Sequence, residues 1–237
     1  MTHFSGTLST RVREIQSELQ ELRDGGNRIF VSSSFQTHSL PLLHIIAGSK
    51  LDIPVVFIDT GFHFPETQIY AREVADNLGL DLQIARPTEP KSAQRDLNGN
   101  LMFVFDPDGC CDRNKVRPLD PWLEAHDVWI SGLRGDQSDF RAGLARLEPG
   151  PLGTLKFLPL IDWTLEDISA YREQHDLPAH PLDPDGLLSI GCQPCTELGP
   201  VSLGIPKLRD EAGSRSNRWL GMQKTECGLH WPRRPES

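Results

Sequence analysis

The sequence predicts an α/β fold in which a parallel sheet carries helices on both faces, and three observations carry that expectation. Short apolar runs of strand length alternate along the first half of the chain with stretches of helical period. Strand, helix, strand in succession implies parallel pairing, because parallel neighbours need a crossover connection. Three strand candidates run into polar or glycine-bearing turns, SSSFQTHS, DTGFHFPET and GLRGDQSDFR. In open parallel sheets the carboxyl ends of the strands are where ligands bind.

The elements follow in order. Leu8, Val12, Ile15, Leu19 and Leu22 recur at spacings of four and three, the signature of an amphipathic packing helix, and Gly25-Gly26 ends it. RIFVSSS, residues 28–34, reads as a strand that enters a serine-rich turn, and a helix is expected over residues 39–48. IPVVFID, residues 53–59, is an apolar strand of the kind buried on both faces. Pro65 suits the first turn of a helix that runs to about Leu78, and LDLQIAR is the next strand. Further strands are expected at residues 127–133 and 155–161. Thr164 can cap a following helix with Asp167 three residues on, and Leu165, Ile168 and Tyr171 form its apolar face. Beyond Pro178 the regular pattern fades. Residues 1–208 are expected as one α/β domain, and residues 209–237 as a mobile polar tail.

The chain has 237 residues, enough for one large domain with a real core. Its formal net charge of -9 argues against nucleic acid and against an anionic membrane surface as partners. No apolar run approaches a membrane span, and the N-terminal stretch lacks the layout of a signal peptide. The expectation is a cytoplasmic protein. Against an acidic background, clustered basic residues point to a site for a small anion.

Five cysteines occur, an odd number that fits metal binding or reactivity better than a disulfide framework. Cys110 and Cys111 are adjacent, within GCCDRNKVRPL, and Cys192-Gln-Pro-Cys195 is a C-x-x-C pair. Together they supply four thiolates, the number that holds either a tetrahedral zinc or a cubane iron–sulfur cluster. Spacing leaves the two open. A redox C-x-x-C is a third reading, but it does not explain the vicinal pair. Cys227 stands apart among polar residues in TECGLH, and a lone thiol beside a histidine fits a nucleophile. Ser32, Ser33 and Ser34 can offer hydroxyls and backbone N–H groups to a phosphate, and Arg134 and Arg141 can grip phosphate or sulfate bidentately.

Taken together, DTGFHFPET, CCDRNKVRPL, WISGLRGDQSDFR, PLIDWTLEDISAY, LPAHPLDPDGLLSIGCQPCT and ECGLH resemble the assimilatory sulfonucleotide reductases, specifically the iron–sulfur adenylyl-sulfate (APS) reductases. The resemblance covers nearly the whole chain beyond the first helix. It implies a Rossmann-like, adenine nucleotide alpha-hydrolase-like fold and a 4Fe-4S cluster on Cys110, Cys111, Cys192 and Cys195. It implies that Lys115 bridges cluster and substrate, and that Cys227, with His230 beside it, is the catalytic nucleophile. Ser32, Ser33, Ser34, Thr60, Gly61, Arg134, Gln137 and Arg141 would bind the nucleotide, with Arg215 and Arg218 closing over it. The implied reaction is reduction of APS to sulfite and AMP through a Cys227 thiosulfonate, with thioredoxin or a glutaredoxin-like dithiol as reductant. A homo-oligomer is allowed.

Three departures stand out: the first loop lacks the family's glycine and acidic residue, His63 replaces an aliphatic residue, and Asn114 precedes Lys115 where arginine is common. Other readings are a PAPS or dual-specificity reductase and, in a different class, a noncatalytic zinc-binding module. An ATP-pyrophosphatase-type adenylating enzyme would need an SGGxDS loop, which the sequence lacks.

Overall fold

The computed structural model describes residues 7–183, 189–198, 217–219, 224, 226 and 228–230. Helix α1 (Leu8–Asp24) leads into strand β1 (Ile29–Ser33). Helix α2 (Leu40–Ser49), β2 (Val55–Ile58), α3 (Pro65–Leu78) and β3 (Leu82–Ala85) follow as two strand–helix–strand units. Three helices come next, α4 (Met102–Phe105), α5 (Pro107–Cys111) and α6 (Arg117–Ala125), before β4 (Val128–Ser131). After β4 come α7 (Asp139–Ala142), β5 (Leu147–Pro149), β6 (Leu155–Phe157) and α8 (Leu165–Gln174).

The sheet order is β3-β2-β1-β4-β6-β5, parallel except for the antiparallel pairing of β5 with β6. Alternation along the strands divides two buried faces. Ile29, Val31, Val55, Phe57, Val128 and Ile130 join one core with Ile15 and Leu19 of α1, Leu43 of α2, Val74 of α3 and Ile168 of α8. Phe30, Val56, Ile58 and Trp129 point the other way and meet Leu119 and Leu123 of α6. Both faces of the sheet are thus covered, as expected, and the apolar runs follow from burial on both sides.

Local signals explain the element ends. Pro65 opens α3, and Gly79 closes it at φ 64°, a left-handed conformation that glycine adopts without a Cβ penalty. Thr164 caps α8: its Oγ1 accepts from the Asp167 N–H at 3.2 Å, and Asp167 Oδ2 accepts from the Thr164 N–H at 2.9 Å. Helix α1 is bound to α8 by Arg11, which donates to Asp167 at 2.8 Å. The short edge strand β5 ends in Pro149, a residue suited to an edge.

The segment between β3 and β4 was not legible as helix. From Pro107 to Ala125 the backbone is helical throughout, but residues Asp112–Val116 form a π turn between α5 and α6. The Arg117 N–H reaches the Asp112 carbonyl, five residues back. Pro118 and Pro121 carry no N–H donor, so the preceding turn cannot close a regular ladder onto them. The two vicinal cysteines end α5, and Lys115 lies within the π turn.

Among the described residues no helix is long and apolar enough to cross a membrane. Ile15 is fully buried, so Ile15→Ala should lower unfolding stability by about 2–5 kcal/mol. Urea denaturation would read that loss. Because Ile15 belongs to a core cluster that contains none of the cysteines, cysteine reactivity in the folded variant should be unchanged.

Candidate active site

Strand β1 pairs with β2 on one side and β4 on the other, so the strand order reverses there. A crevice opens at such a switch point, beyond the carboxyl ends of the strands. Here it is a cleft that opens to solvent, lined by Ser32, Ser33 and Ser34 after β1, Phe57 and Ile58 of β2, and Ser131 and Gly132 at β4.

The serine loop is held by its own network. Ser32 Oγ accepts from Trp129 Nε1 at 2.8 Å, Ser33 Oγ from the Phe35 N–H at 3.1 Å, and Ser34 Oγ from Gln36 Nε2 at 2.8 Å. Each hydroxyl oxygen therefore accepts from a fixed group, and Ser34 Oγ also pairs with Ser39 Oγ at 3.4 Å. Phe35 sits at φ 52° with its ring buried against Phe57, which turns the loop sharply out of the strand. Gln36 also accepts from Ser189 Oγ at 3.2 Å, tying the loop to the segment that carries the C-x-x-C pair.

That segment is stitched to the loop after β2. The Gln193 N–H donates to the Phe62 carbonyl at 2.7 Å, and His63 pairs with Cys192 as an isolated bridge. Gly61 takes φ 72°, and its N–H donates to Asp59 Oδ1 at 3.0 Å. Thr60 Oγ1 accepts from the Phe62 N–H at 3.1 Å and lies 3.3 Å from Cys192 Sγ. Cys110, Cys111, Cys192 and Cys195 all line one small cavity, with Thr60, Phe62 and Phe103 among its walls. Thr60 thus faces the cysteines and not the large cleft.

The thiols are free cysteines, three of them buried. Burial pushes Cys110 up to about 11, with Asn114 and Lys115 opposing and Cys192 and Cys195 adding to the rise. Cys195 is also raised, first by burial and then by Cys192. Buried thiols of this kind need a cation beside them to be held as thiolates. Among the described residues no His, Cys, Asp or Glu group is gathered tightly enough to hold a single metal ion as it stands.

Lys115 and Arg218 line both the large cleft and the cysteine cavity. Arg218 Nε donates to the Cys195 carbonyl at 2.9 Å, and its guanidinium lies 4.7 Å from the Trp219 ring centroid. A Cβ at residue 191 would overlap that guanidinium, so a larger residue there would push Arg218 aside. Asn114 is bound to Gln94 by reciprocal amide bonds of 2.7 and 3.0 Å and donates to the Cys110 carbonyl at 2.9 Å. This pair, buried and polar, fixes the turn between the vicinal cysteines and Lys115, and it accounts for an asparagine at that position.

The remaining expected residues divide. Arg134 is buried and held by Asp136 through bonds of 2.9 and 3.2 Å; it lines neither cavity, and its Nη1 has no hydrogen-bond partner among the described residues. Gln137 and Arg141 line the cleft and bond to one another. Arg141 also grips Glu226 through Nε at 3.0 Å and Nη2 at 2.9 Å. His230 lines the cleft and stacks on Trp129 with centroids 5.3 Å apart. Cys227 and Arg215 lie outside the described residues. Of the segment expected as a mobile tail, Asn217, Arg218, Trp219 and Glu226 are buried. Sequence reasoning missed Gln36, Asn217 and Glu226; the Glu226 signal was its place beside Cys227.

Residues 28–198 match the model of the phosphoadenosine phosphosulfate reductase domain. The chain is 38% identical over 220 residues to an adenosine 5'-phosphosulfate reductase of Chelativorans sp. (strain BNC1), covering 92% of this chain and 84% of that one. It is 37% identical over 207 residues to adenosine 5'-phosphosulfate reductase 1 of Bacillus subtilis (strain 168), at 86% and 85% coverage. A phosphoadenosine 5'-phosphosulfate reductase of Gloeobacter violaceus is 35% identical over 213 residues, at 89% and 86%. Among solved structures, the phosphoadenylyl-sulfate reductase of Candida auris superposes with a TM-score of 0.66 at 22% identity, covering 83% of this chain and 99% of that one. The FMN adenylyltransferase of Candida glabrata gives 0.60 at 15% identity, with 86% and 66% coverage. These two likenesses bear on the fold, an α/β sheet shared with an adenylyltransferase.

Asp59 supplies a pH test of the loop that joins the two cavities. The neighbouring His63 imidazole, then the Gly61 N–H and Arg86, hold its carboxyl down at about 2 against burial, which works the other way. Its folded value lies below the ordinary 3.8, so its contribution to stability is present above that value and is lost as pH falls towards about 2. In a His63→Leu variant the Asp59 midpoint should move up towards the ordinary range. Side-chain carboxyl carbon shifts in NMR titrations of both proteins would follow it.

Proposed function

The chain belongs to the phosphoadenosine phosphosulfate reductase domain family, and from that premise we propose that it reduces adenosine 5'-phosphosulfate to sulfite and AMP in sulfate assimilation. The observation that carries this reading is the wall shared by the cleft and the cysteine cavity. Lys115 and Arg218 belong to both, so two cations stand between the strand-end cleft and four thiols. An anionic sulfonyl group in the cleft gains from cations that are already in place and cost no reorganisation.

Cys227 is the nucleophile in this reading. Its thiolate attacks the sulfonyl sulfur; the new sulfur–sulfur bond forms as the bond from sulfur to the phosphate oxygen breaks, and AMP leaves with that electron pair. Lys115, Arg218 and the hydroxyls of Ser32, Ser33 and Ser34 offset the charge of the sulfonyl oxygens and the departing phosphate. A dithiol of the thioredoxin or glutaredoxin type then attacks Cys227 Sγ. Sulfite leaves with the electrons of the sulfur–sulfur bond, and the second thiol of the partner resolves the mixed disulfide. The dithiol is oxidised and supplies both electrons. Such a thiol chemistry suits the reducing cytoplasm.

Cys110, Cys111, Cys192 and Cys195 would hold a 4Fe-4S cluster. The four thiols line one shared cavity together with Lys115 and Arg218, and cations there suit a group of net negative charge. When bound, the cluster supplies negative charge that orients Lys115 and ties α5 to the segment around Cys192. Anaerobically purified protein should carry about four iron and four labile sulfide per chain. Cys192→Ser should lose both, and full zinc occupancy without sulfide would favour the zinc-binding reading.

The central experiment is sulfite release from APS by the anaerobically purified protein with thioredoxin. Cys227→Ser should abolish turnover and keep the iron. Wild-type protein given APS without reductant should gain the mass of one sulfonate on the peptide that contains Cys227. PAPS run alongside decides the competing reading: a higher kcat/KM for PAPS would make the protein a PAPS reductase, with the same thiol chemistry.

A further inference from the structure

We propose that Arg141 anchors the C-terminal segment instead of binding the sulfonucleotide, and that Glu226 is the positioning residue it holds beside Cys227. The inference rests on the reading of Cys227 as the nucleophile. Its basis is the edge of the guanidinium that Arg141 commits. An arginine grips an oxyanion bidentately along one edge. In Arg141 the Nε and Nη2 edge is taken by Glu226 Oε1 at 3.0 Å and Oε2 at 2.9 Å. Its Nη1 donates to Gln137 Oε1. Ser138 Oγ donates to the same Glu226 carboxylate at 2.9 Å.

The pair is dry. The Arg141 and Glu226 side chains are 4% and 3% exposed. Removing one partner from a buried pair leaves the other as an uncompensated charge, so the contact resists opening far more than a surface ion pair does. On the other side of Cys227, Gly228 packs towards Cys111 and Val116, Leu229 joins the apolar cluster on the α6 face, and His230 stacks on Trp129. Glu226 and Gly228 are the chain neighbours of Cys227, and both of these flanking residues are held against the domain. Glu226 supplies the upstream hold, and it is the polar one. Among the described residues, Lys115, Arg218 and the serine loop then remain as donors for the anion.

Three variants test this: Glu226→Gln, Arg141→Gln and the double substitution, each checked for folding by circular dichroism. The first readout does not depend on catalysis. Alkylation of Cys227 by iodoacetamide, without nucleotide and followed by peptide mass, should accelerate about tenfold or more in either single variant, the factor that 1.4 kcal/mol of lost closure corresponds to. The double variant should be no faster than the singles. The second readout is single-turnover sulfonation of Cys227 across APS concentrations. Both singles should lower the maximal rate by roughly ten- to hundredfold, as small misplacements of a reacting group do. Half-saturating APS should stay within about twofold, well under the tenfold that 1.4 kcal/mol of lost binding would give.

The proposal is overturned if alkylation is unchanged, if the two single effects multiply, or if Arg141→Gln alone raises half-saturating APS by about tenfold. Should Arg141→Gln not fold, Arg141→Lys takes its place. Lysine keeps the charge but not the fork, and an intermediate alkylation rate is expected. Full activity in Cys227→Ser would remove the catalytic reading, while the alkylation comparison would still decide the anchor.

Discussion

Because β1 hydrogen-bonds to β2 along one edge and to β4 along the other, the chain must leave its carboxyl end between two diverging neighbours. The helices that follow β1 and β2 pack on one face of the sheet, and the helix that precedes β4 packs on the opposite face. Nothing regular can fill the gap where those paths part. The cleft is the space that remains, and its walls are whatever the strand-end loops carry. The serine loop turns into it through Phe35, while Trp129, alternating outwards on β4, reaches back to hold Ser32 and offers its ring to His230. The cleft is therefore a property of the strand order, and its chemistry is a property of a few side chains at fixed positions.

Electrostatics link that cleft to the cysteines. The chain is acidic overall, yet Lys115 and Arg218 are brought together where two cavities meet. Each comes from a different part of the chain: Lys115 from the π turn after the vicinal cysteines, Arg218 from the segment that Asn217 binds to Ser189 and Glu197. Buried thiols are costly to ionise, and cations beside them lower that cost. The same cations face the large cleft, so one pair of charges serves both cavities. The cysteine segment is stitched to the strand-end loops at Phe62, His63 and Gln36.

Much of the sheet was legible because burial on both faces leaves continuous apolar runs such as VVFI and VWIS, and because Gly79, Pro65 and Thr164 mark helix ends chemically. The helical stretch from Pro107 to Ala125 was not, since Gly109, Pro118 and Pro121 interrupt any simple period and the turn between its halves depends on the Asn114–Gln94 contact. The cysteines were legible as a set through their types and spacing. The environment of the arginines was not: Arg141 and Arg134 carry the same chemistry in sequence, but one meets a carboxylate 85 residues away and the other a carboxylate two residues away. Long-range ion pairs leave no local pattern, so the partner of an arginine is known only once the chain has folded.

The π turn at Asp112–Val116 has a consequence for how this stretch can change. In a regular helix each residue advances the side-chain direction by about 100°. The extra residue in the wide turn gives the cysteine-bearing half and the half that carries Leu119 and Leu123 their own angular phases, one aimed at the cavity and the other at the sheet. Substitutions that leave Pro118, Pro121 and the Asn114–Gln94 contact in place preserve both phases, whereas a single-residue deletion would swing one half away from its target however well the other stayed seated. Length, more than composition, is the quantity that this short segment has to conserve.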